Sequence, residues 1–168
     1  LGARSVAIGS AALANQNFTT ATDVYNVAVG TLAGNAVTTG TDNTFLGGKA
    51  GTANTTGQYN VFVGTDAGEQ VTVGSSNVAI GRGALEQDTK GSKTVAIGQG
   101  TLNAQNFTTA TDTFNTAVGH NAGVAVTTGT ENTILGGLAG DALTTGIQNV
   151  AIGVNALGQE TDGTYNVA

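Results

Sequence analysis

The residues that could do chemistry in this chain are few. His120 is its only histidine and it has no cysteine, which leaves no Cys or His cage for a metal and no thiol nucleophile. Three acidic pairs, Asp66 with Glu69, Glu86 with Asp88 and Glu160 with Asp162, have the residue types that a glycosidase uses as acid and as base or nucleophile. Catalysis needs unlike groups converging on one point, and these pairs sit in turn-forming sequence, scattered along the chain. They read as solvated turn charges. His120 occupies a position that holds Thr31, Gly48, Thr65, Arg82, Gln99, Gly137 and Val154 in the other copies of a repeat, so it reads as a variable turn residue. No catalytic residue, cofactor or metal is expected, and a polysaccharide-degrading enzyme is the less favoured reading.

Two further features could bind rather than react. Thr-Thr-Gly recurs at Thr38-Thr39-Gly40, Thr55-Thr56-Gly57, Thr127-Thr128-Gly129 and Thr144-Thr145-Gly146. A ladder of threonines could order ice, but their place before glycine argues for turns. The second feature is a pair of matching segments, Asn17 to Tyr25 and Asn106 to Phe114, in which Asn-Phe-Thr-Thr-Ala-Thr-Asp is repeated 89 residues apart. Aromatic rings beside Asn, Asp and Thr suit a sugar face, and inserted residues leave a regular repeat most easily as surface loops. Thr20, Thr22, Asp23, Thr109, Thr111 and Asp112 are therefore the candidate receptor contacts. The competing reading turns Phe18 and Phe107 inward as plugs of a widened coil.

The elements that position these residues follow from the repeat, which is the first thing to settle in such a chain. Asn, apolar, small or aromatic, apolar, Gly appears at 26–30, 43–47, 60–64 and 77–81, and again ending at Gly119, Gly136 and Gly153. Ser5 and Thr94 replace Asn in the copies ending at Gly9 and Gly98. Successive glycines are 17 residues apart except for two steps of 21, so the unit is 17 residues with a periodic insertion of four. An 89-residue super-repeat, 5–93 and 94–168, overlies it, and residues 1–168 form a single repetitive segment. After each motif comes Ala-Gly, as at Ala33-Gly34, or Ala-Leu, as at Ala84-Leu85, with Thr101-Leu102 in one copy. The unit is too short for a helical hairpin or a propeller blade. Rich in Val, Ile and Phe and closed by Gly, each motif predicts a strand and a turn, and the chain an all-β parallel solenoid with strands stacked at about 4.8 Å. Asn26, Asn43, Asn60, Asn77, Asn115, Asn132 and Asn149 then form a ladder of side-chain amides.

Both faces of these strands are apolar. Side chains alternate, so the middle residues Ala28, Phe45, Phe62, Ala79 and Ile134 oppose neighbours that are mostly Val, Ile and Leu. One coil has one interior. The second face would be an exposed apolar stripe, and the expectation is that the middle residues line an interface between copies of the chain; the alternative is a wider single-chain solenoid in which an inner helix or sheet covers the stripe.

Composition limits the partners. Five basic residues against eleven acidic ones give a formal charge of −6, and the basic residues do not cluster, so nucleic acid lacks its footprint. No stretch is long and apolar enough for a membrane helix. Gly contributes 27 residues and Pro none, which excludes collagen. The motifs Ser5-Val6-Ala7-Ile8-Gly9, Asn77-Val78-Ala79-Ile80-Gly81 and Asn149-Val150-Ala151-Ile152-Gly153 resemble those of the YadA-like heads of trimeric autotransporter adhesins. The longer unit, from Asn through Ala-Gly to Thr-Thr-Gly, is similar to repeats of bacteriophage tail fibres. The resemblance implies a left-handed β-roll in a homotrimer, on a virion tail fibre or a bacterial cell surface. The expected role is a rigid spacer and adhesive surface of a phage tail fibre that meets a host-surface glycan or protein. A bacterial trimeric adhesin head is the alternative.

Overall fold

A computed structural model describes residues 2–168. Among them the chain forms thirteen short strands and no helix. In chain order these are β1 (Gly2–Ala3), β2 (Val6–Ile8), β3 (Thr22–Asp23), β4 (Val27–Val29), β5 (Thr44–Leu46), β6 (Val61–Val63) and β7 (Val78–Ile80). They are followed by β8 (Gly91–Ser92), β9 (Val95–Ile97), β10 (Thr111–Asp112), β11 (Thr116–Val118), β12 (Thr133–Leu135) and β13 (Val150–Ile152). Nine of them, β2, β4, β5, β6, β7, β9, β11, β12 and β13, make one parallel sheet in chain order. Val27 pairs with Thr44, Thr44 with Val61 and Val61 with Val78, one 17-residue coil per step, and the steps from Val6 to Val27 and from Val95 to Thr116 are the coils of 21. At about 4.8 Å per strand the sheet is about 40 Å tall. This is the β-solenoid that the spacing of the motif predicts.

Three residues of strand cannot hold a 17-residue coil, and the rest of the backbone bonds between coils as well. Gly34 N–H donates to the Ala50 carbonyl at 2.9 Å, Ala36 to Thr52 at 2.9 Å and Thr38 to Thr55 at 2.9 Å. Backbone groups on the non-strand sides are thereby satisfied without regular sheet. The corner glycine after each strand has φ between +127° and +142°, a region that only glycine enters without strain.

The core is a single column running up the inside of the coils. It contains Ala28, Phe45, Phe62, Ala79, Ala96, Ala117, Ile134 and Ala151, all at most 1% exposed. The Phe45 and Phe62 rings stack with centroids 5.5 Å apart. Their bulk is matched across the coil: a Cβ on Gly51 would lie 2.5 Å from the Phe45 ring and one on Gly68 would lie 2.6 Å from the Phe62 ring. Where the middle residue is Ala79 or Ala96, the same position holds the buried Leu85 or Leu102. In these coils large faces small; where Ala28 and Ala117 face Gly34 and Gly123, the space is filled from the adjoining coils, by Phe45 and Leu13 and by Leu102 and Ile134.

This placement overturns the expected interface. Ala28, Phe45, Phe62, Ala79 and Ile134 have no exposed surface and belong to the chain's own core, so none can line a contact between copies. The reason is alternation: Asn26 and Ala28 are two residues apart and share a face, and the asparagine ladder is inside.

The insertions also differ from simple extruded loops. The added residues let Thr22–Asp23 pair with Gly2–Ala3, and Thr111–Asp112 with Gly91–Ser92, in short parallel ladders. Phe18 and Phe107 turn inward, 9% and 7% exposed, and Val24 is fully buried. Widening of the coil therefore accounts for the ends of each insertion. Its middle, residues 19–21 and 108–110, is exposed.

Candidate functional site

The asparagine ladder is the most regular constellation in the molecule. Asn26 Oδ1 accepts the backbone N–H of Asn43 at 2.9 Å, and Asn43 Oδ1 that of Asn60 at 2.9 Å. Each Nδ2 donates to the turn glycine that closes its own coil: Asn26 to Gly40 at 2.8 Å, Asn43 to Gly57 at 2.8 Å, Asn60 to Gly74 at 2.9 Å and Asn77 to Gly91 at 2.9 Å. Asn115, Asn132 and Asn149 repeat this with Gly129, Gly146 and Gly163. These amides are buried, with donors and acceptors spent on backbone, and their work is to hold register between coils.

The ladder is rebuilt where the motif lacks asparagine. At Thr94 the hydroxyl meets that of Thr113 at 2.7 Å, and Gln105 bridges from Thr94 at 3.1 Å to the Asp88 carboxylate at 2.7 Å. Gln105 Oε1 accepts from Asn115 Nδ2 at 2.9 Å. Asp88, fully buried, also accepts the N–H of Gly91 at 3.0 Å and of Phe107 at 3.1 Å, tying the long coil to the regular one beside it. Ser5, Gln16 and Asn26 make the corresponding set in the first half.

Two of the acidic pairs do not converge, and the third, Asp66 with Glu69, converges on a lysine. Asp88 points into the coil, whereas Glu86 lies outside it against Asn103 at 2.8 Å. Asp66 and Glu69 both face Lys49, at 3.8 Å and 3.4 Å. Glu160 accepts the N–H of Gly163 at 2.9 Å, while Asp162 is exposed. His120 is an exposed turn residue. The first threonine of each Thr-Thr pair donates its hydroxyl to the next coil, Thr38 to Thr55 at 3.1 Å and Thr144 to Thr161 at 2.8 Å, which fixes the turn.

The candidate receptor contacts lie at the two insertions. Thr20, Asp23, Thr109 and Asp112 are exposed, and Thr22 and Thr111 are half-buried. Thr22 and Thr111 donate to the carbonyls of Thr20 and Thr109 at 3.2 Å and 3.0 Å, which shapes each bend. Asp23 pairs with Arg4 at 2.8 Å and Asp112 with Lys93 at 2.6 Å. Each cation also lies over a ring, Arg4 at 5.6 Å from Tyr25 and Lys93 at 5.1 Å from Phe114. The same basic, acidic and aromatic trio thus appears twice, 89 residues apart.

The outer face of the large sheet is the surface that inspection of the motif alone misassigns. Val6, Ile8, Leu46, Ile80, Val118 and Ile152 are 36% to 59% exposed, and Val27, Val29, Val61, Val63, Val78 and Ile97 are half-buried. The residue before each asparagine, or before the Ser5 and Thr94 that replace it, lies outside the strand; it is Tyr25, Tyr59, Phe114 and Tyr165 in four coils, exposed by 48% to 74%, and Arg4, Asp42, Ser76, Lys93, Glu131 and Gln148 in the others. Each of the four aromatic residues has φ between +50° and +62°, a left-handed conformation that costs about 1–2 kcal/mol in a residue with a Cβ. The signal was present in the sequence, because any reading that puts Asn26 inside puts Val27 and Val29 outside. Set beside known proteins, the chain matches no family, no curated protein and no solved structure.

Proposed function

We propose that this chain is a rigid, self-associating segment of a surface fibre, of the kind a phage tail carries, which holds an adhesive surface towards a host-cell glycan or protein. The observation that carries this reading is the outer face of the nine-stranded sheet. Val, Ile and Leu recur on it from β2 to β13, with Thr44, Thr116 and Thr133 among them, on a rod whose backbone is bonded coil to coil along its length.

The occupant of that face is a second copy of the chain. Three residues of strand in each of nine strands give about 430 Å² of face, about half of the roughly 800 Å² per partner of a standard interface. An apolar patch of a few hundred Å² on a monomer is often a functional surface. Copies set parallel and in register present the same stripe at the same height, so each added coil extends the contact, and a closed ring such as the expected trimer covers every stripe.

Sedimentation equilibrium on the intact chain tests this directly. The expected mass is three times the 16.4 kDa of one chain. Ile80→Asp combined with Val63→Asp places two carboxylates on the outer face and should yield monomers with an unchanged far-ultraviolet circular dichroism spectrum. A native chain that sediments as a monomer at micromolar concentration refutes self-association.

A further inference from the structure

The side of the rod away from the large sheet carries a cavity that the repeat itself brings into view. Two residues after each corner glycine the chain adopts φ between +53° and +66°. This position holds Ala11, Leu32, Lys49, Asp66, Asn121, Leu138 and Asn155, but Gly83 and Gly100 in two successive coils. Seven residues with a Cβ accept the same backbone, so conformational freedom does not require glycine at 83 or 100. What the two glycines do is let polar side chains close over the backbone: a Cβ on Gly83 would lie 2.9 Å from Glu86 Oε2, and one on Gly100 would meet Asn121 Oδ1.

Beside them lies a cavity of about 260 Å³, with Asp66 and Asn121 from the flanking coils at its ends and Arg82, Glu86, Gln99 and Asn103 around it. Part of this wall is preset. Asn103 Nδ2 donates to the Gly83 carbonyl at 3.0 Å and to Glu86 Oε2 at 2.8 Å, while its Oδ1 accepts from Gln87 at 3.2 Å. Asp66 Oδ1 makes no hydrogen bond and is held only by its ion pair with Lys49 Nζ at 3.8 Å. Arg82 is exposed and makes none of the ion pairs found among the described residues.

We infer that this cavity binds a neutral sugar. The inference rests on the fibre reading above and gives its adhesive surface a place and a ligand class. Sugar hydroxyls both donate and accept, and the wall offers both counterparts: the Asp66 and Glu86 carboxylates accept, and the Arg82 guanidinium and the Gln99 and Asn121 amides donate. Two carboxylates against one guanidinium disfavour an acidic sugar or a phosphate, and Arg82 disfavours a cation. The volume is just below the roughly 300 Å³ at which pockets begin to hold drug-sized ligands, enough for one or two rings. An open, polar site of this kind binds a single sugar at about millimolar strength, and fibres that present several copies reach useful avidity.

The test is nuclear magnetic resonance on the ¹⁵N-labelled chain, titrated with the methyl glycosides of glucose, galactose, mannose and N-acetylglucosamine, and with glucuronate. At least one neutral glycoside should shift the side-chain amides of Gln99, Asn103 and Asn121 together with the backbone N–H of Gly83 and Gly100. Gly83→Asn with Gly100→Asn installs the residue that Asn121 and Asn155 already carry at this position, and should keep the spectrum of the fold while abolishing the shifts. Arg82→Thr, the residue type at Thr31 and Thr65, should weaken binding about tenfold or more. The cavity assignment is overturned if no neutral glycoside moves these signals or if the double asparagine variant binds unchanged, and the neutral class is overturned if glucuronate binds more tightly. Shifts confined to residues 19–23 and 108–112 overturn the cavity while leaving glycan attachment by the fibre standing.

Discussion

Seven residues past each corner glycine, one inward position, buried in all but the first and last coils, is apolar in some coils and polar in others. It is apolar at Val37, Val71, Val126 and Leu143, and polar at Gln16, Asn54, Asp88, Gln105 and Glu160. Asn54 lies between Val37 and Val71 in the stack, fully buried, with neither side-chain polar atom bonded. Burying such an amide costs about 1–3 kcal/mol. Asn54→Val should therefore raise stability by about that much, about 2–4 °C in melting temperature per kcal/mol for a chain of this size, and a lower melting temperature would show that the amide has a partner. Asp88 is the opposite case, because its carboxylate accepts from Gly91, Phe107 and Gln105. Asp88→Ala strands those donors and should cost about 2–4 kcal/mol in urea unfolding. Asp88→Asn, which keeps an acceptor for the two backbone groups, should cost less.

At the scale of the coil, strand and corner were legible from spacing, while the direction in which the strand faces was not. The motif is apolar at three successive positions, so hydrophobicity could not choose between Phe62 inside and Val61 with Val63 inside. Parity could have chosen, since the ladder asparagine and the middle residue have the same alternation. The insertions were legible as departures from period but not in shape, because Phe18 and Phe107 gain more by burial than an extruded loop would allow. The cavity escaped notice for another reason: in a chain with 27 glycines, two more draw no attention until their coil position is known. The corners themselves give a sharp test. A Cβ on Gly47, at φ +139°, would lie 2.5 Å from the Gly64 carbonyl oxygen, whereas one on Gly48 meets nothing within 4 Å. Gly47→Ala combines backbone strain of about 1–3 kcal/mol with a backbone clash, and should lower the urea midpoint far more than Gly48→Ala, which should leave it nearly unchanged. Equal effects would mean that the corners can relax.

At the scale of the whole rod, each coil touches only its neighbours, so stability is close to a sum of coil and interface contributions. Length should then be adjustable in whole units and in nothing else. Deleting Thr44 to Asn60 removes 17 residues and joins Asn43 to Val61, which restores Asn-Val-Phe-Val-Gly at the seam. The ladder closes again, with Asn26 Oδ1 meeting the N–H of Asn43 as before and Phe62 taking the place of Phe45 above Ala28. The losses are one coil of burial, the stacking of Phe45 on Phe62 and an exposed ion-pair partner, Lys49, of little worth. The unpartnered Asn54 goes too, and the glycine-lined cavity lies beyond the deletion. Deleting Thr44 to Tyr59, one residue fewer, puts two asparagines before Val61 and shifts the joined strands out of parity, so the side chains on one side of the seam turn to the wrong face. The 17-residue deletion should keep the far-ultraviolet spectrum, shorten the rod by about 4.8 Å in small-angle scattering and lower the melting temperature by a few degrees. The 16-residue deletion should lose cooperative unfolding. If both deletions fold equally well, adjacent coils are not locked by the asparagine ladder, and the account of what holds this rod in register fails.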